Sequence, residues 1–201
     1  MSSRKLTPPA PRQACMNTVH LPAPLRDVAM QLGVWHTFVL GVAARIGADR
    51  ATALTGRLGG LPVRASRATG LLGSYAHRGG EPLCIRLQPL QEPGLLRTTL
   101  LHELAHACEH LLAPEPRRHR CNHGPNWRAW ALAFAIDPGR SARSPALAEL
   151  RRQRLKPVAV CDRCGCVFHR QRRLPRRRSW VHPECGNGRI VPLPPGHGED
   201  V

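Results

Sequence analysis

The stretch with the clearest capacity for chemistry is Leu100–His110, which reads LLHELAHACEH. Within it, His102, Glu103 and His106 form an H-E-x-x-H pattern. Residues four apart lie above one another on one face of a helix, so the two imidazoles can bind one Zn²⁺ at about 2.0–2.1 Å. Glu103 would lie beside the metal, where it can take a proton from the attacking water and pass it to a leaving amine. The pattern predicts a hydrolytic zinc site.

The alternative is a chance H-E-x-x-H in a structural helix. Apolar residues and good helix formers surround the motif and predict a largely buried helix, which Pro114 ends. Two histidines and a glutamate in such a helix would be costly unless they were paired or bound to a metal. A metal site is therefore favoured over chance.

His123 is the predicted third ligand. It lies in Cys121–Trp127 (CNHGPNW), where Gly124 permits a tight turn and Pro125 suits the first turn of a helix. The apolar helix predicted over Asn126–Ile136 would then hold His123 at its start, facing the first helix.

Four other residues are weaker candidates for the third ligand. His110 continues the four-residue series, but it lies about 12 Å along the axis from His102, too far to share one ion, and is expected at the surface or behind the ligands. Cys108 is interpreted as a small core residue, and Glu109 stays a rival. His119 lies in an Arg-rich loop that has no obvious device to hold it.

H-E-L-A-H, a loop and then H-G-P-N-W at the start of a second helix resemble the SprT-like metalloprotease family, which includes Spartan. The resemblance covers about Leu61–Leu193 and extends to a C-terminal zinc ribbon. It implies a zinc endopeptidase with Glu103 as its catalytic general base and His102, His106 and His123 around the ion. It also implies that the substrates can be proteins trapped on DNA.

Three short strands are predicted before the H-E-x-x-H helix, at Leu61–Ser66, Leu71–His77 and Pro82–Leu87, with a turn at Gly79–Gly80. The SprT-like family has a small antiparallel sheet at this place, which these strands resemble. Tyr75 is a candidate oxyanion partner, although half-buried strand packing is the preferred interpretation. The predicted fold class is α+β: a helical, zincin-like metalloprotease domain with a small antiparallel sheet, followed by a small β zinc ribbon.

Composition and motifs divide the chain into four predicted parts. Residues 1–24 are Pro-rich and interpreted as a disordered tail, 25–156 as the metalloprotease domain, 157–193 as a basic zinc ribbon and 194–201 as a second tail. Hydrophobic periodicity and a capping serine predict further helices at Leu25–Ile46 (one or two), Asp49–Leu58 and Ser144–Leu155.

Two ligand pairs on facing turns predict a second, structural zinc site. The predicted ligands are Cys161, Cys164, His182 and Cys185. In the ribbons that this segment resembles, the third ligand is usually a cysteine, so Cys166 and His169 remain substitutes for His182. The cofactors predicted for the chain are therefore one catalytic and one structural Zn²⁺.

The chain is strongly basic, with 30 Lys and Arg against 13 Asp and Glu and a formal net charge of +17. This excess indicates a polyanionic partner, with nucleic acid favoured over an acidic membrane surface. Arginines beside one tryptophan between the last two ligand pairs can grip phosphates and stack an unpaired base, although a solvated charge run is the common alternative. The candidate nucleic-acid-binding residues are Arg170, Arg172, Arg173, Arg176, Arg177, Arg178 and Trp180.

Membrane and secretory classes are disfavoured by the sequence. No apolar run reaches the roughly 18 residues of a membrane-spanning helix, and the N-terminus lacks the apolar core of a secretory signal. The eight scattered cysteines favour metal binding in a reducing compartment over a disulfide framework. The expected location is the cytoplasm, associated with the nucleoid, or the nucleus of a eukaryote, and the oligomeric state stays open.

These observations predict a zinc-dependent endopeptidase that acts on DNA-associated proteins, including proteins crosslinked to DNA. Single-stranded or structured DNA, bound without sequence specificity, and protein substrates are the expected partners. The alternative is a non-catalytic zinc- and DNA-binding regulatory protein. A weaker third hypothesis is a zinc hydrolase that cleaves a non-protein amide.

Overall fold

The computed structural model describes residues 19–116, 122–139, 143–175 and 177–194. The chain divides into two compact units, residues 1–142 and 143–201. This division lies before the helix of residues 145–153, whereas the sequence predicted a boundary at 156/157. The α+β fold class is confirmed, since the described helices accompany two small sheets.

The first unit carries the H-E-x-x-H motif on the longest described helix, α4, together with four shorter helices and four strands. Along the chain its elements are β1 (Ala23–Pro24), α1 (Leu25–Gln31), α2 (Trp35–Ile46), α3 (Ala48–Gly59), β2 (Pro62–Ala65), β3 (Gly73–Arg78), β4 (Glu81–Leu87), α4 (Pro93–Leu111) and α5 (Pro125–Ala133). All the helices and strands predicted in this region are present, and the stretch Leu25–Ile46 is broken into α1 and α2.

The sheet of the first unit has the strand order β1-β2-β4-β3. β3 and β4 form the hairpin predicted around Gly79–Gly80, but β2 pairs with β4 in parallel, with Val63 opposite Ile85. The predicted small antiparallel sheet is therefore a mixed one, antiparallel at β1–β2 and β3–β4 and parallel at β2–β4. The reason is topological: residues 66–72 carry the chain past β4, so β3 pairs on the other side of that strand and leaves β2 parallel to it.

The core of the first unit lies between α4, the sheet and the other helices. Leu100 and Leu104 of α4 are fully buried, and so are Phe38 of α2 and Ile85 of β4. Their burial supplies the hydrophobic stabilisation that holds α4 in the centre of the unit. The N-terminal tail was predicted to reach residue 24, but Ala23–Pro24 form β1 and pair with β2, while residues 1–18 lie outside the described part.

The second unit contains one helix and an antiparallel sheet of order β6-β5-β8-β7. Ser144 caps the helix as predicted, because its hydroxyl oxygen accepts the N–H of Leu147 at 3.1 Å. A short 3₁₀ turn, Pro183–Cys185, follows β7. The elements are α6 (Pro145–Gln153), β5 (Lys156–Cys161), β6 (Val167–Arg170), β7 (Val181–His182) and β8 (Gly188–Pro192). The predicted tail 194–201 falls outside the described residues beyond Pro194.

Within the described residues, no single helix is long and apolar enough to cross a membrane. Taken together, α1 and α2 have sufficient length and apolar composition, but the pair is bent by 115°.

Candidate metal centres

Three imidazoles meet where α4 packs against the start of α5. The ligand atoms of His102, His106 and His123 all lie within 4.8 Å of one another, and the Nε2 atoms of His102 and His123 are 3.2 Å apart. Nitrogens bound at about 2.0–2.1 Å to one tetrahedral ion would lie roughly 3.3 Å apart. Three histidines with this spacing fit a zinc ion and leave one position open.

Trp127 forms one wall of this histidine group. Its indole is almost fully buried and lies 4.2 Å from the His123 ring and 4.7 Å from the His102 ring, measured between centroids. The desolvated setting, together with neighbouring His123, lowers the pKa of His102 to about 4. At neutral pH the His102 imidazole is therefore uncharged, as a metal ligand must be.

Glu103 lies beside the histidines, on α4, and is only 6% exposed. Its burial raises the pKa of the carboxyl group to about 7, although a hydrogen bond from the main-chain N–H of Tyr75 acts in the opposite direction. A carboxyl group with a pKa near neutrality can both accept and return a proton at physiological pH. This is the behaviour required of a general base that later acts as an acid.

The close approach of β3 to α4 depends on Gly73. A Cβ atom at this position would lie 2.6 Å from Cγ2 of Thr99 and 3.1 Å from Oε1 of Glu103. Any larger residue would push the strand away from the carboxylate. The sequence does not reveal this steric need, because the atoms concerned belong to a helix distant in sequence.

Glu109 is not one of the three grouped ligands, although the sequence kept it as a rival. Its buried carboxylate accepts the main-chain N–H of Trp127 in the first turn of α5 and lies near His123. Burial raises the pKa of Glu109, while the Trp127 N–H and the charge of His123 oppose that change. Glu109 thus links α4 to the helix that presents His123.

The remaining residues that the sequence offered for this site are not among the three grouped ligands. Tyr75 is half-buried on β3, as the packing interpretation predicted, and its hydroxyl lies 2.7 Å from Nδ1 of His110. His110 is fully buried, which excludes the surface, one of the two positions expected for it. Cys108 is also fully buried in the core, as expected, and His119 lies outside the described residues.

A second group of ligand atoms lies in the second unit. Cys161, Cys164, His182 and Cys185 bring their ligand atoms within 4.8 Å of one another. The Cys161 and Cys185 sulfurs are 3.4 Å apart, well beyond the roughly 2.05 Å of a disulfide bond. Three cysteines and one histidine, arranged as two facing pairs, have the composition and spacing that suit a tetrahedral zinc ion.

The electrostatics of this group favour a bound cation. Burial alone would raise the pKa of Cys161, but main-chain N–H groups of Cys164 and Arg163, together with the neighbouring Cys185 and His182, lower it to about 6. A thiol that ionises this readily is present as the thiolate that binds metal. The two substitutes considered for His182 are not part of the group: Cys166 is exposed and hydrogen-bonds to Cys161 only through its carbonyl, and His169 lines a separate cavity.

Gly188 permits the close packing around these sulfurs. A Cβ atom there would lie 2.5 Å from Sγ of Cys161 and 2.9 Å from Sγ of Cys185. The sequence does not reveal this requirement, because the sulfur of Cys161 lies far from Gly188 along the chain.

A basic cavity of about 400 Å³ opens in the second unit. Of the predicted nucleic-acid-binding residues, Arg170, Arg172, Arg173, Arg178 and Trp180 line it, and Arg151, Leu155, His169, Gln171 and Pro175 complete its wall. Arg177 is exposed and is not part of the lining, and Arg176 lies outside the described residues.

Trp180 has a mixed environment at this cavity. It packs against the small apolar cluster that contains Val158 and Leu174, while the guanidinium of Arg170 lies 5.9 Å from its ring centroid. Its indole Nε1 is buried and has no hydrogen-bond partner within the part of the chain that the structure describes. The cavity therefore combines positive charge with the aromatic surface of Trp180.

The comparisons with known proteins agree with the first of these two sites. The SprT-like family profile matches residues 55–141, a range that contains α4, the start of α5 and all three grouped histidines. No curated protein and no solved structure matches the chain. Residues 55–141 therefore match the SprT-like family, whose domain is generally a zinc metalloprotease-like one, and they carry the motif residues grouped at the first site.

Proposed function

We propose that this protein is a zinc-dependent endopeptidase that acts on DNA-associated proteins, including proteins crosslinked to DNA. The observation that carries the proposal is the buried Glu103 carboxyl beside the group of His102, His106 and His123. A zinc ion held by these histidines would supply Lewis acidity toward a scissile carbonyl and toward water. We place the protein where its DNA partner lies, in the nucleoid or the nucleus.

In this mechanism Glu103 moves the proton. As the carboxylate it takes a proton from the attacking water, and as the neutral acid it delivers that proton to the leaving amine. In the metal-free protein burial raises the pKa of Glu103 to about 7, which favours the protonated form that the second step needs. The main-chain N–H of Tyr75 orients the carboxylate, and the Trp127 wall keeps water from one side of the imidazoles.

DNA binding is proposed for the second unit. Five arginines line a cavity that also contains Trp180, and such a surface can bind phosphates and stack a base. Binding through phosphates and stacking predicts little sequence preference and a preference for unpaired or distorted DNA. The Cys161 group would hold the second zinc ion, which stabilises the sheet that carries these arginines.

Cleavage of a DNA-bound basic protein tests this proposal. Wild type and Glu103→Gln would be incubated with a labelled histone, with and without single-stranded DNA, after zinc content has been measured. We expect cleavage that DNA stimulates and that Glu103→Gln abolishes, with zinc retained, because Gln keeps the shape of Glu but cannot accept a proton. Arg50→Glu changes a charge on α3, an element that carries no residue of either metal group, and serves as the control variant.

Other outcomes of the same experiment separate the rival functions. Zinc and DNA binding with no cleavage of any protein tried would favour a regulatory binding protein. Hydrolysis of small amides alone, dependent on Glu103 and insensitive to DNA, would favour an amidase. Cleavage that survives Glu103→Gln would contradict the proposed mechanism.

A further inference from the structure

One face of β3 lies along one face of α4 next to the proposed catalytic group. Alternate strand residues share a face, and helix residues at three- and four-residue spacings do the same. Gly73 on the strand approaches Thr99 and Glu103 on the helix, and Tyr75 contacts both Glu103 and His110, which lies seven residues further along α4. Tyr75 therefore spans two turns of α4.

The two ends of Tyr75 make different contacts. Its main-chain N–H donates a hydrogen bond to the Glu103 carboxylate. Its phenolic oxygen lies 2.7 Å from Nδ1 of His110. The same residue thus joins the proposed general base to a side chain in the core.

His110 is held so that its ring can accept a hydrogen bond from the Tyr75 hydroxyl. Its Nε2 lies 3.1 Å from the main-chain oxygen of Pro116. A carbonyl oxygen can only accept, so Nε2 carries the proton and, in the neutral ring, Nδ1 accepts the hydroxyl of Tyr75. His77, two residues after Tyr75 on β3, stacks on the His110 ring at 4.0 Å between centroids. Full burial of His110 leaves this arrangement little freedom to change.

We propose that Tyr75 and His110 are positioning residues for Glu103. The contact between His110 and the Tyr75 hydroxyl fixes β3 against α4, and the fixed strand keeps the Tyr75 N–H on the carboxylate. That hydrogen bond restrains the rotation of the carboxylate and leaves its other oxygen to accept the proton of the reacting water. The inference rests on the proposed function, because it assigns Tyr75 and His110 a part in the proton transfer by Glu103.

The first test removes one hydroxyl group. Tyr75→Phe keeps the aromatic ring and the main-chain N–H but deletes the contact with His110. With labelled histone and single-stranded DNA as the probe, we expect kcat to fall by about tenfold, in the range found for residues behind a catalytic group, with KM and zinc content unchanged. Ser74→Ala deletes a hydroxyl from the neighbouring position of the same strand, on the other face, and should keep the wild-type kcat.

The second test asks whether the two residues act through one contact. His110→Leu should lower kcat by the same factor as Tyr75→Phe, and the double variant should lose no more than either single variant. His110→Asn places an amide oxygen near the position of Nδ1 and should restore most of the activity lost in His110→Leu. A purely structural role would give additive losses and no rescue.

A readout that needs no catalysis follows the main-chain N–H itself. In NMR spectra, the amide proton of position 75 should resonate downfield because its acceptor is a carboxylate, and it should move upfield in His110→Leu and in Tyr75→Phe. Thermal unfolding of each variant establishes that the protein is folded at the assay temperature.

The outcomes separate this inference from the function on which it rests. Wild-type kcat in Tyr75→Phe, or an amide signal that does not move, would overturn the positioning role while leaving the protease intact. Absence of cleavage by the wild type would overturn the proposed function, and a shift of the position-75 amide would then still report the contact between β3 and Glu103.

Discussion

At the scale of single residues, the first site places an acid where its charge is costly. Glu103 is 6% exposed, and His102 and His123 contact the apolar face of Trp127. Low exposure disfavours both a carboxylate and an imidazolium. In the metal-free protein the site therefore holds an uncharged His102 imidazole, ready for a cation, and a Glu103 carboxyl group close to its titration midpoint at neutral pH.

This cost predicts that removing the charge of Glu103 stabilises the metal-free protein. The pKa of Glu103 rises from 4.5 to about 7 on folding. The contribution of this raised pKa to the free energy of unfolding is therefore complete below pH 4.5 and is lost as the pH rises through 7. At pH 8 the loss amounts to roughly 3 kcal/mol, at about 1.4 kcal/mol per pKa unit. Glu103→Gln lacks this titration and should be more stable than wild type by up to that amount.

The measurement is denaturant unfolding of both metal-free proteins between pH 4 and pH 8, followed by tryptophan fluorescence. The difference in free energy of unfolding should be near zero at pH 4 and grow toward pH 8. A difference that is constant with pH would show that Glu103 does not titrate near neutrality.

At the scale of elements, the distance between β3 and α4 controls the site. Gly73 lets the strand approach, Thr99 and Glu103 form the opposing surface, and the Tyr75 N–H is thereby brought to the carboxylate. α5 is set in a similar way, since Glu109 accepts the N–H of Trp127. Three separate elements must therefore hold their positions for the site to exist.

Gly73→Ala should disturb this packing. The new methyl group would lie 2.6 Å from Cγ2 of Thr99, so the strand must shift, at a cost of about 1–3 kcal/mol in stability and with a loss of activity. Thr99→Ser removes the opposing methyl group but keeps the hydroxyl that donates to Oε1 of Gln91 at 2.8 Å. The double variant should therefore recover part of both losses.

The coupling between positions 73 and 99 is measured by chemical denaturation and histone cleavage. Both are carried out on the wild type, the two single variants and the double variant. Losses that simply add in the double variant would mean that the contact with Thr99 does not limit the approach of β3.

At the scale of the whole molecule, the two candidate metal groups lie in separate units with unequal cores. The first unit buries a large apolar cluster, whereas the buried apolar cluster of the second contains Val158, Ala159 and Leu174. A core this small gives little stability without a crosslink or a metal. Metal should therefore matter more for folding in the second unit.

Single ligand variants should separate the two groups. We expect His102→Ala and Cys161→Ser each to lower zinc content from two ions per chain to one. Cys161→Ser should also unfold the sheet of the second unit, whereas His102→Ala should leave both units folded. Zinc analysis and amide NMR spectra test this, and a folded second unit in metal-free Cys161→Ser would contradict the expectation.

The basic cavity predicts a salt-dependent interaction with single-stranded DNA. Arg172→Glu and Arg173→Glu should each weaken binding and reduce the slope of log K against log salt by about 0.7 per lost phosphate contact. Arg50→Glu makes the same charge change on α3 of the first unit and serves as the control. An equal effect of all three variants would indicate attraction by net charge alone.

Features that depend on residues close together in the chain can be predicted from the sequence. The spacing of His102 and His106, the cysteine pair at 161 and 164, the capping serine and the periodicity of the helices all arise within a few residues, where the geometry of a helix or turn relates spacing to position. The α+β class and the SprT-like family follow from these local patterns.

Tertiary structure decided whatever depends on the packing of elements that are distant in sequence. The parallel pairing of β2 with β4, the burial that shifts the pKa of Glu103 and the contact between Tyr75 and His110 belong to this group. So does the steric need for Gly73, since the atoms that a Cβ would meet lie on another element. Periodicity tells which face of an element is apolar but not which element covers it, and that choice sets the distances on which proton transfer depends.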